Sequence, residues 1–436
     1  SVLEQTYTNF ELIIIDDGST DDSKSIIDKY LEHPKIRIIY QSNRGLIASN
    51  NVAIKASKGV FIMRLDADDF LDKNSLLLMV NTINEDNTIG MVFPDYYYVD
   101  KNGNVIGQER RNNFEKDVFL FDQPAHGACT LIRKEFLIEV GGYSVEFDRQ
   151  DGLDIWLKFI DRYKIKNINL PLFYYRKHEE SLTKNTEKLL KTRSKIYEKH
   201  ANERESKKIN VLAVLSVRGK AISSESQDLS MLGNKPMICW TIDNILSSDM
   251  IQELIISTSD KEIIEFVKNK YKEKVNIVER DVKDALENTS HKESLKQSIN
   301  KRKIKNFDAV LEITPDFPFR DSFYMEKAIN VMRVHNVDRV IGVIPEDSII
   351  YQHKGYGLET IGNNLFENKL RLEREYLYRN VGGISLSNKA YYEKNLNNKE
   401  NIILGHIIIS NEAATQVSSE LQLKIAKLIL NENEIK

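Results

Sequence analysis

Two short apolar runs in this chain stop abruptly in carboxylates. Leu12-Ile13-Ile14-Ile15 leads into Asp16-Asp17-Gly18-Ser19-Thr20-Asp21, and Phe61-Ile62-Met63-Arg64-Leu65 leads into Asp66-Ala67-Asp68-Asp69. Each run has the length of a buried parallel strand, and open α/β sheets collect their ligands outside the carboxyl ends of strands. Acids in that place suit a hard divalent cation arriving with a phosphate-bearing ligand, because such cations are held by one or two carboxylates plus the phosphates. Asp66 and Asp68 stand at i and i+2, so both can face one ion from an extended strand end. Ser19, Thr20 or Asp21 could each cap the helix that follows. Capping accounts for the hydroxyls but not for the adjacent acids Asp16 and Asp17. Asn43-Arg44-Gly45 comes after another strand and could set an Arg and a backbone turn against a base or a phosphate.

The elements that must position these groups alternate between strand and helix, which predicts βαβ architecture with mainly parallel sheets. In the first half the strands are expected at Glu11–Asp16, Ile36–Gln41, Val60–Leu65, Met91–Val99, Ala128–Arg133 and Ile165–Leu170. A polar stretch rich in Lys and Glu, residues 185–208, reads as a helical linker with a solvated face. A second series then opens at Ile209–Ser216 and continues through Glu253–Ser257, Val275–Val278, Ala309–Ile313 and Arg339–Val343. The expected organisation is therefore a domain over 1–184, the linker, and a domain over 209–436. At 436 residues the chain exceeds one ordinary core. A formal net charge of -3 leaves no basic excess for a nucleic-acid backbone. The two cysteines, Cys129 and Cys239, stand far apart, which argues against a disulfide framework and for a cytoplasmic compartment. No apolar stretch approaches the ~20 residues of a membrane span. The sequence opens without Met on Ser1-Val2-Leu3-Glu4-Gln5, and further sequence is expected before it.

The run Ser1-Val2-Leu3-Glu4-Gln5-Thr6-Tyr7, then Asp16 to Asp21, Asn43-Arg44-Gly45 and Asp66 to Asp69, resembles the family 2 inverting glycosyltransferases of GT-A fold over residues 1 to about 185. The family's usual first strand is absent here. The resemblance implies that Asp16 and Asp17 contact the base and ribose of a nucleotide-sugar donor, with Asn43 and Arg44 beside them and Asp66 near the ribose. It implies that Asp68 ligates Mn²⁺ or Mg²⁺ on the diphosphate, with His178 of Tyr174-Tyr175-Arg176-Lys177-His178 able to approach the metal. Gly141-Gly142-Tyr143 and Gln150-Asp151-Gly152-Leu153-Asp154 look like the segment carrying the general base for the acceptor hydroxyl. Asp151 is the first candidate and Asp154, at i+3, the second. The acceptor is expected to be a surface glycan or a lipid-linked sugar. For His126 and Cys129, core packing and loop polarity are the preferred reading.

Arg218-Gly219, Leu232-Gly233-Asn234-Lys235-Pro236, Ile255-Ile256-Ser257-Thr258-Ser259-Asp260, Thr314-Pro315-Asp316-Phe317-Pro318-Phe319-Arg320 and Tyr378-Arg379-Asn380 resemble the acylneuraminate (CMP-sialate) cytidylyltransferases, from about residue 209 onward. The whole chain would then be two Rossmann-like three-layer α/β domains. The departures matter as much as the matches. Where that family carries a Lys, a basic pair and an Asn, this sequence has Ile222, Ser226, Gln227 and Asp228; where it carries metal-binding acids, Gln416, Ser418 and Gln422 stand. Each charge-assisted contact to a triphosphate is worth about 1.5–3 kcal/mol, and a metal clamp several more. Their joint loss removes on the order of 10 kcal/mol, or many decades of rate. The expectation is a degenerate second domain. Arg320 and Arg379 could still hold a sugar there, Arg218 persists for structure, and this domain is the expected seat of any homo-oligomeric contact. Two rivals stand beside this reading: a bifunctional enzyme that also makes a CMP-activated nonulosonic acid, and a non-catalytic glycan- or nucleotide-binding scaffold.

Overall fold

The computed structural model describes residues 1–109, 126–177, 186–204, 208–220, 222–281, 291–346, 348–353, 355, 357–361, 377–393 and 402–434. The chain forms two compact units. Residues 1–196 and 347–376 make the first, and residues 197–346 and 377–436 the second. Both are α/β, and the division falls inside the long helix Thr186–Glu203.

In the first unit, the aliphatic run of β1 (Leu12–Asp16) pairs in parallel with β2 (Ile36–Tyr40), with Asp16 opposite Tyr40. Among the described residues this pair stands apart, by backbone pairing, from a six-stranded sheet in the order β3-β7-β5-β8-β4. The strands of that sheet are β3 (Phe61–Met63), β4 (Phe70–Leu71), β5 (Ile89–Val99), β6 (Val105–Glu109), β7 (Leu131–Arg133) and β8 (Lys164–Arg176), with β6 paired to β5. Its pairings are more mixed than strand–helix alternation predicts: β5 and β8 run parallel, whereas β3–β7, β7–β5, β8–β4 and β5–β6 are antiparallel. The antiparallel members β4 and β7 are two and three residues long, too short to carry a periodic signal.

Helices α1 (Ser23–Ile27) and α2 (Leu46–Ala56) follow β1 and β2, α3 (Ser75–Ile83) precedes β5, and α4 (Lys134–Glu139) and α5 (Asp151–Phe159) follow β7. Met79, Val80 and Ile83 of α3 pack with Val92, Tyr96, Leu131 and Phe173. Trp156 of α5, fully buried, meets the Phe93 ring edge-on with centroids 5.7 Å apart.

The second unit holds a seven-stranded sheet built on Val211–Val217, Ile251–Thr258, Asn276–Glu279, Ala309–Ile313, Arg339–Glu346, Leu377–Asn388 and Leu404–Ile408. Strand Val211–Val217 runs parallel to both of its neighbours, Ile251–Thr258 and Ala309–Ile313. It reads as an almost continuous apolar run because helices cover both faces of such a strand.

Candidate functional site

The two acidic segments expected to carry chemistry are built by different means. Asp16 closes β1, is buried, and accepts the Ser19 amide at 2.8 Å. Its bonds from Ser19 hold its carboxyl below the usual range. Asp17 organises the neighbouring loop: Oδ1 accepts the Gln41 side-chain amide at 2.7 Å and the Arg44 amide at 2.9 Å, and Oδ2 accepts the Gly45 amide at 2.7 Å. Burial alone would raise the Asp17 carboxyl, but these bonds outweigh it and hold it low. Gly18 sits at φ 78°, and a Cβ there would lie 2.9 Å from the Asn43 amide nitrogen. The close approach of these two turns therefore requires glycine. Asn43 and Arg44 are exposed in this turn.

The second acidic strand end centres on a residue that sequence reasoning passed over. Arg64 directly follows β3 and is nearly buried, and its guanidinium joins two acids distant in sequence. Nε lies 3.0 Å from Asp66 Oδ1, Nη2 donates to Asp66 Oδ2 at 3.2 Å, and Nη1 donates to Asp151 Oδ2. Burial pulls Arg64 toward the neutral form, yet Asp151 and Asp66 outweigh it and hold the charge on. Burial raises the Asp66 carboxyl; Arg64 opposes this, while Asp151 and Asp68 add to it. Gly127 packs over the pair, where a Cβ would meet Arg64 Nη2 at 2.9 Å and Asp151 Oδ2 at 3.2 Å. The only sequence signal for Arg64 is a single basic residue inside an apolar run that feeds into acids.

Asp151 begins α5, behind Gln150 in the left-handed conformation at φ 61°. Asp154, the second base candidate, is placed differently. It is 1% exposed, and Oδ2 lies 3.0 Å from Lys158 Nζ, one turn along. Lys158 in turn donates to the Gly142 carbonyl at 2.7 Å and to Ser144 Oγ at 2.8 Å. Asp154 thus neutralises the lysine that clamps the 142–144 loop, a buried structural task. Asn51 of α2 pins the same loop, accepting the Tyr143 amide at 3.0 Å and donating to the Tyr143 carbonyl at 2.8 Å.

Asp68 is exposed in the turn after Asp66, and its carbonyl accepts Arg176 Nε at 2.7 Å. Asp69 is buried, accepts the Arg176 amide at 2.8 Å, and is pushed up to about 7, chiefly by burial. Among the described residues no three His, Cys, Asp or Glu side chains converge to cage a metal ion. With Asp66 engaged by Arg64 and Asp68 exposed, the donors fit a cation that brings phosphate oxygens with it rather than one held by protein alone. His178 lies outside the described residues. His126 accepts the Ala128 amide at 3.1 Å through Nδ1 among the rings of Tyr96, Phe173 and Tyr175, and Cys129 is fully buried.

Comparison with known proteins follows from this geometry. Residues 1–141 match the family model Glycosyl transferase family 2. Residues 227–358 match the model Cytidylyltransferase. The glycosyltransferase-like region is 37% identical over 107 residues to a chondroitin synthase of Escherichia coli, covering 24% of this chain and 16% of that protein. Among solved structures, Staphylococcus aureus TarS 1–349 in complex with UDP-GlcNAc is similar at a TM-score of 0.38 and 20% identity, covering 46% of this chain and 61% of that one. A 4-diphosphocytidyl-2C-methyl-D-erythritol synthase from Anaerococcus prevotii is similar at a TM-score of 0.40 and 15% identity, covering 51% and 97%. TM-scores this low leave the functional reading to the side chains.

In the cytidylyltransferase-like region the three arginines are held in different ways. Arg218 is exposed. Arg320 is 3% exposed; it donates from Nε to the Ala413 carbonyl at 3.0 Å and from Nη1 to the Gly382 carbonyl at 2.7 Å, leaves Nη2 buried without a hydrogen-bond partner among the described residues, and sets its guanidinium 3.9 Å over the Phe317 ring. Burial brings Arg320 down to about 10. Arg379 is exposed and pairs with Glu346 at 3.1 Å. Several of the substituted positions are hydrogen-bonded within the fold. Gln416 Nε2 donates to Asp316 Oδ2 at 2.5 Å, Gln422 Oε1 accepts the Ser418 amide and hydroxyl at 2.7 and 2.8 Å, and Ser226 Oγ donates to Asp228 at 2.6 Å. Asp228 is buried, which raises its carboxyl, and the nearby charges of Asp316 and Asp260 push the same way. Among the described residues no helix is long and apolar enough to cross a membrane.

Proposed function

We propose that the N-terminal region is an inverting glycosyltransferase of hexosyltransferase type. It would move a sugar from a nucleotide-sugar donor to a hydroxyl of a surface-glycan or lipid-linked acceptor, aided by Mn²⁺ or Mg²⁺ and working on the cytoplasmic side. The observation that carries this reading is the Asp66–Arg64–Asp151 cluster, which draws the acidic turn after β3 and the first residue of α5 to one guanidinium. Asp16, the Asp17-ordered loop with Asn43 and Arg44, and Asp66 would bind the nucleoside. Asp68 would hold the cation, and the cation, when bound, stabilises charge on the departing diphosphate. Asp151 would accept the proton of the acceptor hydroxyl, a role worth about 10²–10⁴ in rate. Arg64 keeps that carboxylate oriented at the helix start. For the C-terminal region we propose that no CMP-sugar is made, a reading supported by Gln416 standing as a neutral donor to Asp316.

The test is a thermal-shift panel of UDP-, GDP-, dTDP- and CMP-sugars with and without Mn²⁺, since a ligand that binds only the native state raises the melting temperature by mass action. A Mn²⁺-dependent shift with one donor class is the expected result. The absence of a shift with every donor would overturn the transferase reading and leave the scaffold.

A further inference from the structure

We propose that Arg176 is a positioning residue for Asp68, holding the main chain that carries the cation-binding carboxylate. The inference rests on the role given to Asp68 above. It starts from a gap in the backbone ladder. On one side, β3 pairs with β7 only as far as Met63, opposite Leu131. On the other, β4 pairs with β8 only from Phe70, opposite Tyr174. The acidic turn between them, Asp66 to Asp69, lies outside both ladders, and its internal bond runs from the Asp69 amide to the Asp66 carbonyl at 3.1 Å.

Arg176, two residues beyond Tyr174 at the end of β8, supplies what the ladder does not. Its amide donates to Asp69 Oδ1 at 2.8 Å, and its Nε donates to the Asp68 carbonyl at 2.7 Å. The other end of the guanidinium is anchored: Nη1 donates to the Asp100 carbonyl at 3.0 Å and to the Lys101 carbonyl at 2.8 Å. That anchor is itself rigid, because the Asp100 carboxylate accepts the Asn102 and Asn104 amides at 2.8 and 2.9 Å and the Asn104 side chain at 3.0 Å. One side chain therefore ties the acidic turn to the neighbouring β5–β6 turn, and its charge faces carbonyls. A planar, multi-donor cation is the residue for this task, since an ammonium offers no fixed fork. Groups that orient a metal's ligand without touching the metal typically cost about 10–100-fold in metal affinity when removed.

The experiment takes UDP, or the nucleotide of whichever donor class shifts the melting temperature in the panel above, and titrates Mn²⁺ at a saturating concentration of it, following free Mn²⁺ by electron paramagnetic resonance against a protein-free control, for the wild-type protein, Arg176→Gln, Arg176→Lys and Asp68→Asn. Melting without ligand establishes that each variant is folded, and affinity for that nucleotide in the absence of metal serves as the reading that a purely structural role for Arg176 would also move. The expected result is a Mn²⁺ affinity about 10–100-fold weaker in Arg176→Gln, an intermediate loss in Arg176→Lys, and metal-free nucleotide binding unchanged in both. Equal Mn²⁺ affinity in Arg176→Gln and wild type, with Asp68→Asn weakened, overturns the role of Arg176 while sparing that of Asp68. Unchanged affinity in Asp68→Asn, or no Mn²⁺ uptake by the wild type, overturns the metal reading and this inference with it. Should Arg176→Gln fail to fold, Arg176→Lys decides by the same comparison.

Discussion

Arg64 is the residue on which the site's electrostatics turn, and Arg64→Met isolates its contribution while keeping an unbranched side chain. In the wild-type protein the side chains of Arg64, Asp151 and Asp66 are 12%, 10% and 28% exposed. Removing the guanidinium leaves two shielded carboxylates with no cation at contact distance from either among the described residues. Breaking a buried pair from one side costs about 3–5 kcal/mol; the partial exposure of Asp66 places this site at about 3. A loss of that size moves a urea midpoint by about 1–2 M. The chain has two tryptophans, Trp156 in the first unit and Trp240 in the second. In a Trp240→Phe background, the fluorescence of fully buried Trp156 therefore follows unfolding of the unit that contains Arg64. The decisive comparison is the double variant. Adding Asp151→Asn to Arg64→Met removes the stranded charge and should restore about 1–2 kcal/mol, a coupling expected only of groups in contact. A cost below about 1 kcal/mol for Arg64→Met, or a double variant less stable than Arg64→Met alone, would refute the argument.

Four further outcomes follow. Asp151→Asn should lower turnover by about 10²–10⁴ while leaving donor-induced thermal shifts intact, and wild-type turnover in that variant would remove Asp151 from its role. Gly18→Ala should cost about 1–3 kcal/mol, measured by the Trp156 transition, because the new Cβ would sit 2.9 Å from the Asn43 nitrogen at a φ of 78°. The Asp228 carboxyl is raised by burial, so the folded state holds that proton more tightly than the unfolded state, and stability falls as pH climbs from the ordinary aspartate value through the raised one. Asp228→Asn should accordingly raise the melting temperature of the second unit at neutral pH, with a gain that shrinks toward pH 4, and a pH-independent gain would contradict the cause given. Gln416→Asp sets a carboxylate against Asp316 at an exposed position, a repulsion of about 1 kcal/mol; millimolar Mg²⁺ should restore its melting temperature while leaving the wild type unmoved.

What the sequence made legible was composition at strand ends. Four aliphatic residues before Asp16, and the run before Asp66, announce strands and acids in one stroke, and β1 begins and ends within a residue of that expectation. Illegible were contacts across distance. Asp151 meets Arg64 across 87 positions, and no periodicity reports that. The standing of Asp154 depended on where α5 starts. Beginning at Asp151, the helix carries Asp154 inward to Lys158, and the available clue was the acid–base spacing of i and i+4 rather than the i+3 spacing from Asp151. Arg176 is overshadowed by His178 beside it, since the hydrogen-bond partners of its guanidinium are carbonyls, which no pattern of charge in the sequence announces.

The two regions treat charge in opposite ways, and this bears on whether the chain does one chemistry or two. In the first unit, Asp66 and Asp151 share one guanidinium and the charge of Asp68 acts on Asp66 from the next turn, an excess of negative charge that a divalent cation would balance. In the second, Ser226 bonds Asp228, Ser418 bonds Gln422 and Gln416 bonds Asp316, so a metal triphosphate would have to displace Gln416 from Asp316 and approach a buried Asp228. Phosphates entering that loop would meet a carboxylate where a charge-assisted contact of about 1.5–3 kcal/mol is needed. On the proposed reading, repulsion in place of attraction would separate the two sites more sharply than the loss of contacts alone, because a neutral replacement only weakens binding whereas a buried like charge opposes it.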